Sequence, residues 1–444
     1  MKLNNKRTFL VGLAFLSICA FWQMYDNVVP MILTNTFHLN ETYSGFIMAV
    51  DNVLALFLLP LFGSLSDKAD TKIGKRMPFI LFGTGCAIIL MNILPILDNS
   101  YYAKASVFKV VSFIVVLGLL LIAMGTYRSP AVALMPDVTP KPLRSKANAI
   151  INLMGAAGGM IYLAIAAVLY PKAKTRNVPH VDYQILFIVV AAIMFIAVAL
   201  LFLFVKEPKL VEENRKLEER HPEWNLAEDD GSGREILPDD VKRSLGFLLA
   251  SIALWFIGYN AVTTWFTTYV SVVMGEGLGG ASTCLLVATA GAIVSYIPIG
   301  NIASKIGRKK TIMGGIILLA SMFFLGFVLT SIFTSINAIM YVSFALVGLA
   351  WAAINVNSLP MVVEMCKGSD IGKFTGYYYT ASMSAQIVTP ALAGTLMRLI
   401  SYKVLFIYAS VFVLLSFVTM TQVKHGDQKV EGKKGLAAYE DMDD

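Results

Sequence analysis

Gly63-Ser-Leu-Ser-Asp67-Lys-Ala-Asp-Thr-Lys-Ile-Gly74-Lys75-Arg76-Met-Pro78 separates two long apolar runs, one ending near Leu65 and the next starting near Phe79. A shorter copy, Gly300-Asn-Ile-Ala-Ser-Lys305-Ile-Gly307-Arg308-Lys309-Lys310, stands far downstream. Each follows an apolar run carrying a proline, Pro60 or Pro298, and each precedes another apolar run. A polar signature repeated at equivalent places makes the two halves of the chain structural repeats. Asp67 falls at the C-terminal end of its helix, where the dipole disfavours an anion by about 0.3–1 kcal/mol, so a partner is expected for it. Gly63 suits close backbone approach and Gly74 a tight turn.

Composition sets the class. Hydrophobic residues are 57% of the 444 and charged residues only 15%, which no soluble domain of this length matches. The pattern predicts an all-α membrane protein whose apolar spans lie near 8–34, 43–65, 78–97, 107–135, 146–170, 184–205, 244–273, 281–304, 310–331, 336–363, 373–399 and 402–422. Six spans precede and six follow a polar stretch, giving bundles at 1–205 and 244–423, a linker at 206–243 and a tail at 424–444. Within the linker, Arg215 to Arg220 reads as a short charged surface helix.

Basic residues gather on alternate connections: Lys2, Lys6 and Arg7; Lys72, Lys75 and Arg76; Lys141 and Arg144; Arg308 to Lys310; Lys424 and Lys433. Those connections, and both termini, are therefore expected in the cytoplasm. Lys172, Lys174 and Arg176 run against the trend. The net charge of +7 is a sum over loops and calls for no nucleic-acid partner. Cys19, Cys86, Cys284 and Cys366 are scattered through apolar runs, so neither disulfides nor a metal site is expected, and no cofactor. The first apolar run is too long for a signal-peptide core and reads as the first span.

The Gly63–Pro78 spacing resembles the loop between helices 2 and 3 of the major facilitator superfamily, and the likeness extends over nearly the whole chain. It implies twelve transmembrane helices in two six-helix repeats. Met135-Pro-Asp137 leads into Arg144-Ser-Lys-Ala-Asn148, as Met361-Val-Val-Glu364 leads into Gly372-Lys373. The resemblance implies that Asp67 caps the eleventh helix near Gly372, and that Lys75 or Arg76 pairs with Asp137. Gly63, Asp67, Gly74, Lys75, Arg76, Asp137, Arg144 and Glu364 then form a gating motif that latches the cytoplasmic face in the outward-open state. A purely topogenic loop is the plainer reading of the same charges.

Ionisable residues inside spans are costly and point to function. Asp26, with Trp22 and Gln23 on the same helical face, lies two-thirds along the first span; Asp51, beside Asn52, lies inside the second; Arg128 follows Tyr127 in the fourth. Arg128 needs an anion, and Asp26 and Asp51 are the candidates. A buried bridge that merely holds helices together is the alternative. His38, His180, His221 and His425 fall in loops or tails, so a carboxylate must carry any coupling proton. In the second half Asn260, Thr264 and Thr267 share a stripe, as do Trp351, Asn355 and Ser358, and Tyr379, Ser382, Gln386 and Thr389. Amides and hydroxyls beside aromatic rings suit a neutral polyhydroxylated solute, although the same residues serve as packing glue. On the fifth helix Asn148, Asn152 and Tyr162 follow helical spacing with Gly155 and Gly159, which suit close packing.

Trp22-Gln-Met-Tyr25 with Pro30, Asp51-Asn52 before Pro60-Leu-Phe-Gly63, and Arg144-Ser-Lys-Ala-Asn148 resemble the glycoside–pentoside–hexuronide:cation symporters, in particular bacterial relatives of sucrose/proton symporters. That resemblance implies uptake of a glucoside or disaccharide with a cation across the plasma membrane, by a monomer. It places Asp26, Asp51 and Arg128 in the coupling site. Candidate sugar contacts are Trp22, Gln23, Tyr25, Asn52, Tyr127, Asn152, Asn260, Thr264, Trp351, Asn355, Tyr379 and Gln386. The sodium-using melibiose permeases carry a second aspartate one turn along the second helix, where this chain has Ala55, so proton coupling is expected over sodium. A proton-driven transporter of another solute or drug and a transport-dead receptor are the rival readings. No nucleophile elbow, metal spacing or phosphate loop suggests an enzyme.

Overall fold

The computed structural model describes residues 3–175, 178–221, 237–365 and 371–427. Helices in chain order are α1 (Asn5–Met31, continued by a π turn at Ile32–Thr36), α2 (Glu41–Asp67), α3 (Met77–Ala103), α4 (Val107–Val138), α5 (Arg144–Leu169), the single turn α6 (Lys172–Thr175), α7 (Gln184–Phe204), α8 (Glu207–Arg220), α9 (Asp239–Met274), α10 (Leu278–Ile306), α11 (Arg308–Ile332), α12 (Ala338–Val363), α13 (Ile371–Leu399) and α14 (Val404–Thr421). Among the described residues, eleven helices are long and apolar enough to cross a membrane. The twelfth long helix is α13, whose Thr, Ser, Gln and Tyr residues dilute its apolar character.

Local chemistry sets the ends. The Asn40 side chain accepts from the Tyr43 N–H to start α2, and Asn337 does the same for α12 through Ile339 and Met340. Gly275, at φ +62°, stops α9. In α1, Pro30 has no N–H to give the Asp26 carbonyl, and the helix loosens into the π turn just beyond.

The expected linker helix differs from the observed one. It starts at Glu207, eight residues earlier than expected, and it docks rather than floats: Glu207 is 1% exposed and Asn214 is buried. Residues 222–236, Cys366 and the tail from 428 lie outside the described residues. Close packing in α5 also includes a glycine that the spacing did not single out. Gly158 makes the tightest contact with α1, where an added Cβ would lie 2.0 Å from the Leu16 carbonyl oxygen, and Gly159 meets the Gln23 side chain of α1 at 3.6 Å.

Helices α1–α5 with α7, and α9–α14, form two bundles that touch on one side. We call that side the far face, and the side bearing α8 the linker face. Deepest in the far-face contact, Thr267 Oγ1 donates to Asn27 Oδ1 at 2.5 Å. Further out the Gly279 N–H donates to the Tyr170 carbonyl at 3.0 Å, Tyr402 bonds Glu41, and Lys172 pairs with Glu276. The Lys172 pairing accounts for one of the basic residues on the unexpected side: its charge is neutralised across the interface.

Candidate transport cavity and gates

Between the bundles lies a cavity of about 350 Å³. It runs from Asp26, just inside the far-face contacts, toward Phe15 and Val132 in the linker-face halves of α1 and α4. Helical spacing brings Trp22, Gln23 and Asp26 of α1 to its wall, with Asp51, Asn52 and Ala55 of α2, Arg128 of α4, and Gly155 and Gly159 of α5. The opposite wall carries Tyr259, Thr289, Tyr296, Trp351 and Gln386. A recess shared by Asp26, Asp51, Asn52 and Gln386 adds Asn260, Thr263 and Thr264. Residues more than 200 positions apart thus meet around one space.

Its two walls differ chemically. On the α9–α14 side the Tyr259 and Trp351 rings stack at 3.7 Å and 5°, with Phe256 edge-on to Trp351 at 5.3 Å. On the other side Asn52 Nδ2 donates to Asp51 Oδ1 at 2.9 Å. Arg128 shares the cavity with both acids, yet makes no ion pair within 4 Å to either. Its guanidinium instead stands 5.9 Å from the Trp22 ring centroid. The expected bridge is therefore open in this conformation, leaving the cation and the carboxylates facing the same space.

Several residues expected at the cavity sit elsewhere. Tyr127 is buried and ties α4 to α1, 2.5 Å from Ser17 Oγ and donating to the Ala14 carbonyl at 3.0 Å. Tyr25 is buried behind Trp22, edge-on at 5.4 Å. Asn152 and Asn355 are buried, and Tyr379 is an exposed ring edge-on to Tyr378. Tyr259 was missed because an isolated aromatic in an apolar span has no local signal of its own.

The linker face holds a charge network. Arg76 is buried; its Nε donates to Asp137 Oδ2 at 2.8 Å, one Nη to Ser66 Oγ at 2.5 Å, and the other Nη pairs with Asp67. Burial opposes the Arg76 charge, but Asp137 and Asp67 more than offset it, so its pKa is raised. Lys75 stands 3.9 Å from Asp137. Asp67 thus turns to Arg76 in this conformation rather than to α13, and its side chain is 59% exposed. Gly63 packs against Ser129, whose hydroxyl donates to the Leu59 carbonyl at 2.8 Å.

Sequence reasoning missed Glu207. Its carboxylate accepts the backbone N–H groups of Lys75, Arg76 and Met77 at 2.8, 2.9 and 2.9 Å, an anion set on the N-terminus of α3. Gly74 has φ +114°, and a Cβ there would lie 2.2 Å from Glu207 Oε2. Farther along α8, Asn214 donates to the Asp137 carbonyl at 3.2 Å and Arg144 pairs with Glu218 at 3.3 Å. The second half repeats the design. Arg308 pairs with Glu364, while Asp427 accepts the N–H groups of Arg308 and Lys309 at 2.6 and 3.3 Å beside Gly307, at φ +96°. An acid following the sixth helix caps the third helix in each half. The signal that would have found both acids was the repeat itself, aligned past its sixth span.

Known proteins resemble the chain in fold and, over part of its length, in sequence. The chain is 31% identical over 144 residues to the sucrose transport protein SUC3 of Arabidopsis thaliana, and over 123 residues to the sucrose transport protein SUT3 of Oryza sativa. Each match covers 24% of the relative's length, so the likeness is partial. Over its fold the chain is similar to the inward-open xylose transporter XylE of E. coli, with TM-score 0.68, 15% identity and 96% and 97% of the two chains covered. It is similar also to the nucleoside transporter NupG, with TM-score 0.67, 14% identity and 94% and 100% covered. The family model described as Major Facilitator Superfamily matches residues 11–295 and 278–438. The chain belongs to the Major Facilitator Superfamily.

Proposed function

We propose that this transporter is a sugar:proton symporter that imports a glucoside or disaccharide by alternating access. The observation that carries the reading is the unlike pair of walls around one cavity. One wall offers two carboxylates, a guanidinium and amides; the other offers a flat aromatic stack and the Gln386 amide. A sugar uses both at once, its hydroxyls on the polar groups and its C–H face on Trp351 or Trp22. The partial likeness to sucrose transport proteins supports the same class.

In this reading Asp26 and Asp51 take and release the proton, and Arg128 swings toward whichever carboxylate is ionised once substrate leaves. Ala55 lines the cavity where a second carboxylate of a sodium site would stand, which favours the proton. The halves at 1–205 and 244–423 rock about the cavity. Their far-face contacts seal one end state, and the Asp67–Arg76–Asp137 network with Glu207 reorganises in the other. The basic linker face is read as cytoplasmic, with both termini there and the monomer in the plasma membrane. The cycle leaves the solute's covalent bonds unchanged, so the protein is not read as an enzyme.

The test is solute counterflow in liposomes preloaded with one of a panel of glucosides, disaccharides, pentoses and nucleosides. The reading expects labelled glucoside or disaccharide to exchange and nucleoside not to. Exchange confined to non-sugar solutes would overturn it.

A further inference from the structure

We propose that the transported solute is a glycoside with a flat, apolar aglycone, and not a disaccharide, bound with its sugar toward the far face and its aglycone toward the linker face. This rests on the sugar reading above and narrows it to one class.

The cavity changes character along its length. On α1, Asp26 and Gln23 stand at the far-face end, while Ile18 and Phe15 stand at the linker-face end. The three helical turns from Asp26 to Phe15 span about 16 Å, more than one pyranose ring fills. Two other helices change in the same sense toward the linker face: Asp51 and Asn52 give way to Ala55 on α2, and Arg128 gives way to Val132 on α4. On α9, Asn260, Thr263 and Thr264 line the recess beside the acids, and Tyr259 follows on the linker-face side. Tyr259 lies two turns, about 12 Å, from Thr267, which bonds Asn27 next to Asp26. The Tyr259–Trp351 stack therefore sits well below the carboxylates, in the linker-face half of the cavity.

Each end suits one kind of group. At the far-face end a sugar's hydroxyls find acceptors in Asp26 and Asp51 and donors in Arg128 and Gln386. At the other end a second sugar would meet Phe15, Ile18, Val132, Ala292 and Ile293. Among the described lining residues, the hydroxyls at that end are the Tyr259 and Tyr296 phenols. Thr289, between the two ends, donates to the Leu285 carbonyl of its own helix at 2.9 Å. Two phenols do not serve all the hydroxyls of a second ring, and each one left unpaired on occlusion weakens binding. An aromatic aglycone has no such need: it lies against the Trp351–Tyr259 stack and buries its edges on the aliphatic side chains.

The experiment is counterflow by the full chain in liposomes preloaded with 4-nitrophenyl glucoside, tried as both anomers. Labelled 4-nitrophenyl glucoside is outside, with methyl glucoside, sucrose, maltose or 4-nitrophenol as competitor. The labelled glycoside should exchange, and each competitor should need a concentration at least about tenfold above that of unlabelled 4-nitrophenyl glucoside to halve the exchange. Val132→Asn and Ala292→Ser bring polar groups to the linker-face end, and at least one should narrow the gap to the disaccharides by about threefold or more. Sucrose or maltose competing as well as the nitrophenyl glucoside, or exchanging where it does not, overturns the inference and leaves sugar transport standing. So does 4-nitrophenol competing as well as its glucoside, or a gap unchanged in both variants. Exchange of no sugar or glycoside at all, in folded protein, overturns the sugar reading and this inference together.

Discussion

Replacing Gly45 with alanine places a methyl group where the closed far face has no room for one. The added Cβ would lie 2.3 Å from the Pro390 carbonyl oxygen, 2.6 Å from its carbon and 2.7 Å from Ala391 Cα. All three are backbone atoms of the other half, so no side chain can swing aside. Ordinary contact needs about 3.5 Å, so α2 and α13 must part by roughly 1 Å. Overpacking of that kind costs about 1–3 kcal/mol. Alanine also gains about 1 kcal/mol of helix propensity over glycine, but this enters the open and closed states equally and cancels. The far-face-open population should therefore rise roughly 5- to 150-fold relative to the closed one. The assay is the distance distribution between spin labels at Ala105 and Ser335, with Gly85→Ala as control, since a Cβ at Gly85 meets nothing within 4 Å. A Gly45→Ala distribution matching the Gly85→Ala control would refute the reasoning.

Four further outcomes are expected. Glu207→Gln keeps the shape but removes the anion from the α3 N-terminus, and should lower the thermal midpoint of the purified protein by an amount equivalent to about 1–2 kcal/mol. Gly74→Ala displaces the same carboxylate, so it and Glu207→Ala should together cost less than the sum of the two. Thr267→Val leaves the buried Asn27 oxygen unpaired when the far face closes; at about 1–3 kcal/mol it should favour the open face, and adding Asn27→Leu should return most of that shift. Trp351→Ala removes the partner stacked on Tyr259, and should raise KM for the transported sugar by about tenfold or more while kcat changes less.

Much of the architecture was legible because the bilayer imposes it. A span needs about 20 apolar residues, so composition alone marks where helices run, and the Gly63 and Gly300 signatures expose the repeat. Asp26, Asp51 and Arg128 stood out because charge in such runs is rare, and the structure gathers them in one cavity. Tyr127 misled for a related reason: beside Arg128 it looked like a ligand contact, but the next residue on a helix points about 100° away, and it serves the α1–α4 seam. Glu207 was hidden in a charged stretch that reads as solvated, because its partners at Lys75 to Met77 are about 130 positions earlier. The far-face contacts left no trace either. Gly45 meeting Pro390 and Gly279 meeting Tyr170 are properties of two halves in one relative orientation, which no local pattern encodes.

The central claim is that sugar and proton move together through a cavity in which Asp51 carries the charge. It is tested most directly by proton entry into liposomes that hold a trapped pH-sensitive dye, at fixed membrane potential, with sugars added outside. The account predicts acidification with a glucoside or disaccharide, lost in Asp51→Asn although that variant still exchanges the same sugar by counterflow. Undiminished acidification in Asp51→Asn, or none with any sugar the protein demonstrably exchanges, would contradict it.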